Sequence, residues 1–91
     1  MSISSARRTA VDVFAVVRDA LAVVLELDPA LIGADSSLRE LGADSLARVE
    51  MAEIVEAQLT PVADRPLSIP DADLGTVETV AEAVDLVAAQ L

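Results

Sequence analysis

Ser45 is the residue whose type and setting most clearly suggest chemistry. It lies between an acid and a leucine in ELGADSLARVEMAEIVEA, residues 40–57, where a helix is predicted to begin. Asp44 is a good N-cap for that helix, so the Ser45 hydroxyl is not needed for capping. A phosphate attached there would lie in the favourable field of a helix N-terminus. The pattern therefore predicts a site of phosphoester attachment, although Asp-Ser at a helix start is also ordinary capping chemistry.

The residue types that are absent restrict the chemistry further. The chain has no His, Cys or Lys, which excludes a Ser-His relay, a thiolate nucleophile, a disulfide and the usual zinc ligand sets. Another enzyme would therefore have to modify Ser45. The sixteen acids offer carboxylate pairs, but such a pair acts as acid and base only in a cleft that separates two pKa values. We expect neither an enzyme nor a metal site.

Charge and length limit the expected partners and location. The chain has 91 residues, enough for one small domain, and its net charge is −10. Such a chain repels nucleic acid and anionic membrane surfaces, so its charged partners should be basic. The apolar runs are shorter than a membrane span, and residues 1–10 lack the apolar core of a secretion signal. We expect a monomeric, soluble, cytoplasmic protein.

The apolar spacing predicts an all-α fold, because no stretch alternates for long enough to indicate a sheet. A single domain over residues 1–91 should contain three substantial helices and one short one. Asp44 and Thr76 are the predicted N-caps of the second and last helices, and Pro70 is the predicted N1 residue of the short one. A long connection over residues 28–43 would let two helices run roughly parallel. The predicted helices cover residues 9–27, 44–59, 70–74 and 77–90.

One apolar stripe on each long helix defines the predicted core. A further set of four residues, Leu31, Ile32, Leu38 and Leu41, should pin the long connection onto that core. The stripes comprise Val11, Phe14, Val17, Leu21 and Val24 in the first helix, Ala47, Met51, Ile54, Val55 and Leu59 in the second, and Val77, Val80, Val84, Val87 and Leu91 in the last.

The eleven residues LGADSLARVEM, residues 41–51, resemble the signature of acyl carrier proteins, which opens the second helix of a four-helix bundle. IPDADL and TVETVAEAVDLV resemble the short third helix and the last helix of that family, so the resemblance covers roughly residues 8–90. It implies that Ser45 carries 4′-phosphopantetheine, added from coenzyme A by a phosphopantetheinyl transferase. Acyl chains would then be bound to the terminal thiol as thioesters.

The same resemblance implies a surface read by the transferase and by partner enzymes. Asp44 and Leu46 would flank the attachment site, and the docking surface would continue along the second helix. The helical spacing is consistent with an exposed surface, since Leu46 and Val49 lie away from the predicted core stripe. A solvated acidic face is the alternative reading of the glutamates. The predicted docking residues are Val49, Glu50, Glu53 and Glu56.

Two departures from the family pattern affect the predicted pathway. Arg48 lies within the acidic helix, where it could tune partner choice or pair with nearby acids. The connection LTPVADRPLS is longer than in fatty-acid carriers, which favours a polyketide or related specialised pathway. Acyl-loading enzymes, ketosynthases or other thioester-processing enzymes would then be the partners. A carrier of fatty-acid synthesis, an aminoacyl or peptidyl carrier, and an unmodified acidic helical adaptor are the alternatives.

Overall fold

The computed structural model describes residues 12–63 and 67–91. This part of the chain is helical and contains no β-strand, which confirms the predicted all-α bundle of three main helices. Short 3₁₀ turns follow the first and third helices, at Pro29–Leu31 and Thr60–Val62. The helices are α1 Val13–Leu25, α2 Leu38–Leu41, α3 Ser45–Leu59, α4 Asp71–Leu74 and α5 Val80–Ala88.

Helix α1 packs against both α3 and α5, and all three contribute to one core. Asp12 caps its start by accepting a hydrogen bond from the Ala15 N–H at 3.0 Å, and Glu26 ends it in the left-handed conformation at φ 56°. The helix therefore ends two residues before the predicted limit of 27. The predicted residues 9–11, including Val11 of the stripe, lie outside the described residues.

Helix α5 begins three residues later than the sequence predicted. Thr79, not Thr76, is its N-cap, since the Thr79 hydroxyl accepts a hydrogen bond from the Glu82 N–H at 3.2 Å. The Glu82 carboxylate in turn accepts a hydrogen bond at 2.8 Å from the N–H of Glu78, the residue before the N-cap, an arrangement that resembles a capping box. The Glu78 carbonyl accepts a hydrogen bond from the Leu38 N–H at 2.9 Å and from no residue of the helix. This pairing holds the segment before Thr79 in an extended form, so the helix cannot start at residue 77.

Helix α3 closely follows its predicted range of 44–59. The short helix α4 also falls within the predicted residues 70–74, but Pro70 is its N-cap residue and not N1. The α5 helix ends at Ala88, two residues before the predicted end. Among residues 12–63 and 67–91, no helix is both long and apolar enough to cross a membrane.

The core is built from aliphatic side chains and small alanines. Ile54 of the predicted α3 stripe is only partly buried, and the predicted core residues Leu91 and Leu31 are 54% and 65% exposed, so those two assignments were wrong. Alanines that the stripes omitted, including Ala20 and Ala83, are buried at the helix contacts. The largest fully buried side chains are Val17, Leu21, Leu38, Met51, Val55, Leu74, Val80 and Val87.

Candidate functional site

The backbone before Ser45 turns sharply because α2 ends at a left-handed glycine. Gly42 has φ 92°, and its N–H donates to the Arg39 carbonyl at 3.1 Å. Glycine adopts this conformation without a steric penalty. A Cβ at Gly42 would meet nothing within 4 Å, so the backbone angle, and not a lack of space, requires glycine here. The turn brings Asp44 to the start of α3.

Asp44 and Ser45 divide two tasks at the N-terminus of α3. The Asp44 carboxylate accepts a hydrogen bond from the Ala47 N–H at 2.9 Å, which confirms Asp44 as the N-cap. Ser45 is the first residue of the helix, it is exposed, and its hydroxyl makes no hydrogen bond with the rest of the described chain. Leu46 beside it is 69% exposed. The hydroxyl is therefore accessible to another molecule and is not engaged in holding the fold.

An open groove of about 480 Å³ lies beside Ser45. Its lining includes Arg39, Gly42 and Asp44 from α2 and the turn before α3, Arg48 from α3, and Gly75 after α4. A second groove, of about 630 Å³, shares Arg39, Arg48 and Gly75 with the first. The attachment site predicted from the sequence therefore opens onto a groove whose lining includes two arginines.

Arg48 joins the start of α3 to the end of α4 and the residues that follow it. Its Nε donates to the Ala43 carbonyl at 3.0 Å, and its Nη1 donates to the carbonyls of Leu74 at 2.9 Å and Val77 at 2.8 Å. Sequence reasoning placed Arg48 among the acids of its own helix and missed this role. No local signal reveals it, because two of the three partners are 26 and 29 residues away.

The predicted docking residues separate into an exposed group and one exception. Glu50 and Glu53 are exposed on α3, and Val49 is half-buried beside the exposed Leu46. Glu56 differs, because it is half-buried and its carboxylate accepts a hydrogen bond from the Ile69 N–H at 2.8 Å. This bond ties α3 to the chain just before α4. Glu56 therefore contributes to the fold, and its role as a docking acid stays a prediction.

The described residues contain no cluster of three or more His, Cys, Asp or Glu side chains that could hold a metal ion. The surface near Ser45 has three features: a capped helix start, an open groove and an acidic helix face. Together with three main helices around an aliphatic core, these features define a helical bundle of the acyl-carrier type.

Comparison with known families supports the same class. Residues 15–87 match the family model described as "Phosphopantetheine attachment site". The chain therefore belongs to the phosphopantetheine-attachment family, and the resemblance seen in the sequence is confirmed. The cofactor of such a domain is covalently attached 4′-phosphopantetheine. A search of curated proteins found no match to the chain.

Members of this family interact in general with phosphopantetheinyl transferases and with thioester-processing enzymes. The residues around Ser45 are compatible with the phosphate end of a phosphopantetheine arm. Ser45 offers an exposed hydroxyl, and the adjoining groove provides space and guanidinium groups that suit a phosphodiester. The arm supplies a thiol, which this chain, having no cysteine, does not contain.

Proposed function

We propose that Ser45 is the attachment residue and that the chain is a carrier, not an enzyme. The observation that carries this proposal is the division of tasks at the start of α3, where Asp44 caps the helix and the Ser45 hydroxyl is left exposed. The transferase would supply the base that removes the hydroxyl proton, since the chain has no His, Lys or Cys. The serine oxygen would form a bond to the pantetheine-side phosphorus of coenzyme A as the phosphoanhydride bond breaks and adenosine 3′,5′-bisphosphate leaves.

The carrier would act by tethering its cargo close to successive active sites. A flexible arm converts each encounter with a docked enzyme into an intramolecular step with a high effective concentration. We propose acyl or polyketide thioesters as the cargo, because LGADSL resembles acyl carriers and the α3–α4 connection is long. The chain would work as one carrier domain over residues 1–91, and its cytoplasmic location stays a prediction.

The proposed docking surface consists of Leu46, Val49, Glu50 and Glu53 on α3, and Glu56 remains a predicted member of it. Leu46 supplies an exposed apolar contact next to Ser45, and the two exposed glutamates continue the surface along the helix. Enzymes with basic residues at the mouth of the active site would be attracted to this surface before they dock. Acyl-loading enzymes and ketosynthases are the partners that a polyketide pathway would supply.

Intact-mass spectrometry tests the attachment residue directly. We expect one phosphopantetheine adduct after incubation with coenzyme A and a broad-specificity transferase, and none on Ser45→Ala. Ser68→Ala is the matched control, since Ser68 is also exposed, and it should accept the adduct as the wild type does. An unmodified wild-type chain that is shown to be folded would overturn the proposal and favour the acidic adaptor.

Loading of the modified protein separates the possible cargoes. The acyl-carrier reading expects transfer of acyl or malonyl-type groups to the arm thiol, whereas a peptidyl carrier would be charged by an aminoacyl-activating enzyme. Mass spectrometry of the loaded protein distinguishes these products. Exclusive loading with aminoacyl groups would contradict the acyl assignment while leaving Ser45 as the attachment residue.

A further inference from the structure

The groove beside Ser45 contains two guanidinium groups without a carboxylate partner in the described part of the chain. Within residues 12–63 and 67–91, the one ion pair joins Arg18 to Asp19, at 2.9 Å. Arg39 is exposed on α2, and its side chain makes no hydrogen bond to these residues. Arg48 is held only by neutral carbonyl oxygens. Two positive charges thus face one groove in a protein whose net charge is −10.

The donor groups of Arg48 are only partly used. Its Nε and Nη1 nitrogens donate to three carbonyls, which fixes the plane of the guanidinium. An arginine has five N–H donors, so the two on Nη2 have no partner among the described residues. Arg39 has a long side chain with no anchoring contact and can therefore adjust its position. The groove combines one fixed cation with one adaptable cation.

The nearest opposing charge in the same wall is Asp44. Asp44 lies between Arg39 and Arg48 in sequence, next to Ser45, and its carboxylate already accepts a hydrogen bond from the Ala47 N–H at the cap. Glu40 and Glu78 line the neighbouring groove and also oppose an anion. A bound anion must therefore be held close to the guanidinium groups, and added salt should weaken that attraction.

We propose that Arg39 and Arg48 bind the phosphodiester at the root of the arm, a role that rests on the proposed attachment to Ser45. Arginine suits this group because its planar N–H groups pair with phosphate oxygens in a two-point contact. The tether keeps the phosphate within reach of the groove at all times. The root of the arm is thereby directed toward Gly75 and α4, which leaves Leu46 and the exposed glutamates of α3 accessible to a docked enzyme.

Nuclear magnetic resonance of the arginine Nε–H groups tests this contact without any activity assay. We expect the Arg39 and Arg48 signals to shift when the unmodified protein is converted to the phosphopantetheinylated form, while Arg18, outside the groove, stays in place. The Arg39 shift should shrink when salt is raised from about 10 mM to 1 M, because the screening length falls from about 30 Å to about 3 Å. Unmoved Arg39 and Arg48 signals in a fully modified protein would overturn the proposal.

Variants of the adaptable cation make the test quantitative. Arg39→Gln should reduce the change in the Arg48 signal by about two- to five-fold, because one partly exposed charge pair is lost. Arg39→Lys keeps the positive charge and should retain a larger part of that change. Arg18→Gln is the matched control and should leave the Arg48 shift as in the wild type. An Arg48 shift that is equal in the Gln and wild-type proteins would contradict a shared phosphate site.

Two further measurements distinguish this proposal from a failure of Ser45 modification and from a site for free phosphate. Mass spectrometry of each sample reports the adduct, so failure of Ser45 modification is recognised before any arginine signal is interpreted. Inorganic phosphate at about 10 mM, added to unmodified Ser45→Ala, should leave both signals near their starting positions because the tether is missing. Saturation at that concentration would indicate a site for free phosphate and would overturn the role assigned to the arm.

Discussion

At the scale of single residues, the turn that leads into Ser45 depends on one glycine and one aspartate. Gly42 adopts φ 92°, and Asp44 then caps α3 with the bond from the Ala47 N–H. Asp44 performs the capping that a serine hydroxyl could otherwise provide. As a result the serine hydroxyl is not required for local folding, and its modification need not break a hydrogen bond that the fold uses.

We expect Gly42→Ala to destabilise the protein by about 1 kcal/mol, because a left-handed backbone is unfavourable for any residue with a Cβ. Chemical denaturation measures the free energy of unfolding. Gly33→Ala is the matched control, since Gly33 lacks a positive φ and its added Cβ would lie 3.8 Å from the Ser36 Oγ, an ordinary contact. Its effect should stay within about 0.5 kcal/mol. Equal losses for both variants would contradict the role given to the Gly42 backbone angle.

At the scale of elements, side chains that bridge segments fix the site as a unit. Arg48 connects α3 with the residues after α4, and Glu56 connects the other half of α3 with the Ile69 N–H before α4. The short α4 has only four residues and no side-chain cap. Its position beside the attachment site therefore depends on these two contacts from α3 and on the burial of Leu74.

Arg48→Met should cost about 2 kcal/mol of stability, because three carbonyls lose a charged donor. Arg48→Lys should recover part of this, since an ammonium keeps the charge but cannot reproduce the planar fork. Hydrogen exchange is expected to accelerate most at the Gly75 and Thr76 amides, next to the released carbonyls. Arg18→Met serves as control and should leave exchange there unchanged. Uniform acceleration over the whole chain would argue against a local bridge.

At the scale of the whole molecule, the charge distribution determines how partners approach. Sixteen acids against six arginines leave a strongly negative chain, yet Arg39 and Arg48 place positive charge at the groove beside Ser45. The exposed Glu50 and Glu53 lie along α3 from the same point. We therefore expect long-range attraction to a basic enzyme and local attraction to a phosphate to involve different surfaces.

Reversing both docking charges, Glu50→Lys with Glu53→Lys, should raise the KM of the transferase for the carrier by about ten-fold or more at low salt while changing kcat little. The matched control is Asp35→Lys with Asp85→Lys, at two exposed acids outside α3 that change the net charge equally. It should have a much smaller effect. If both pairs raise KM by the same factor, net charge alone governs association and the α3 surface has no special role.

Local patterns in the sequence predicted those features that depend on neighbours along the chain. The all-α fold, the range of α3 and the Asp44 cap follow from helical spacing and from the capping preference of aspartate, both of which act within a few residues. The LGADSL segment likewise indicated the family that the match over residues 15–87 shows. The exposed position of Ser45 is part of this local pattern.

Only the tertiary structure decided how distant segments use the same residue types. Thr79 replaces Thr76 as a cap because residues before it pair with the chain near α2, and Glu56 accepts a hydrogen bond from the Ile69 N–H because folding brings that segment beside α3. The three carbonyls bound by Arg48 come from two distant segments, Ala43 before α3 and Leu74 with Val77 at and after the end of α4. Hydrogen bonds of this kind depend on which surfaces the folded chain brings together, and a 3.6-residue period contains no information about that.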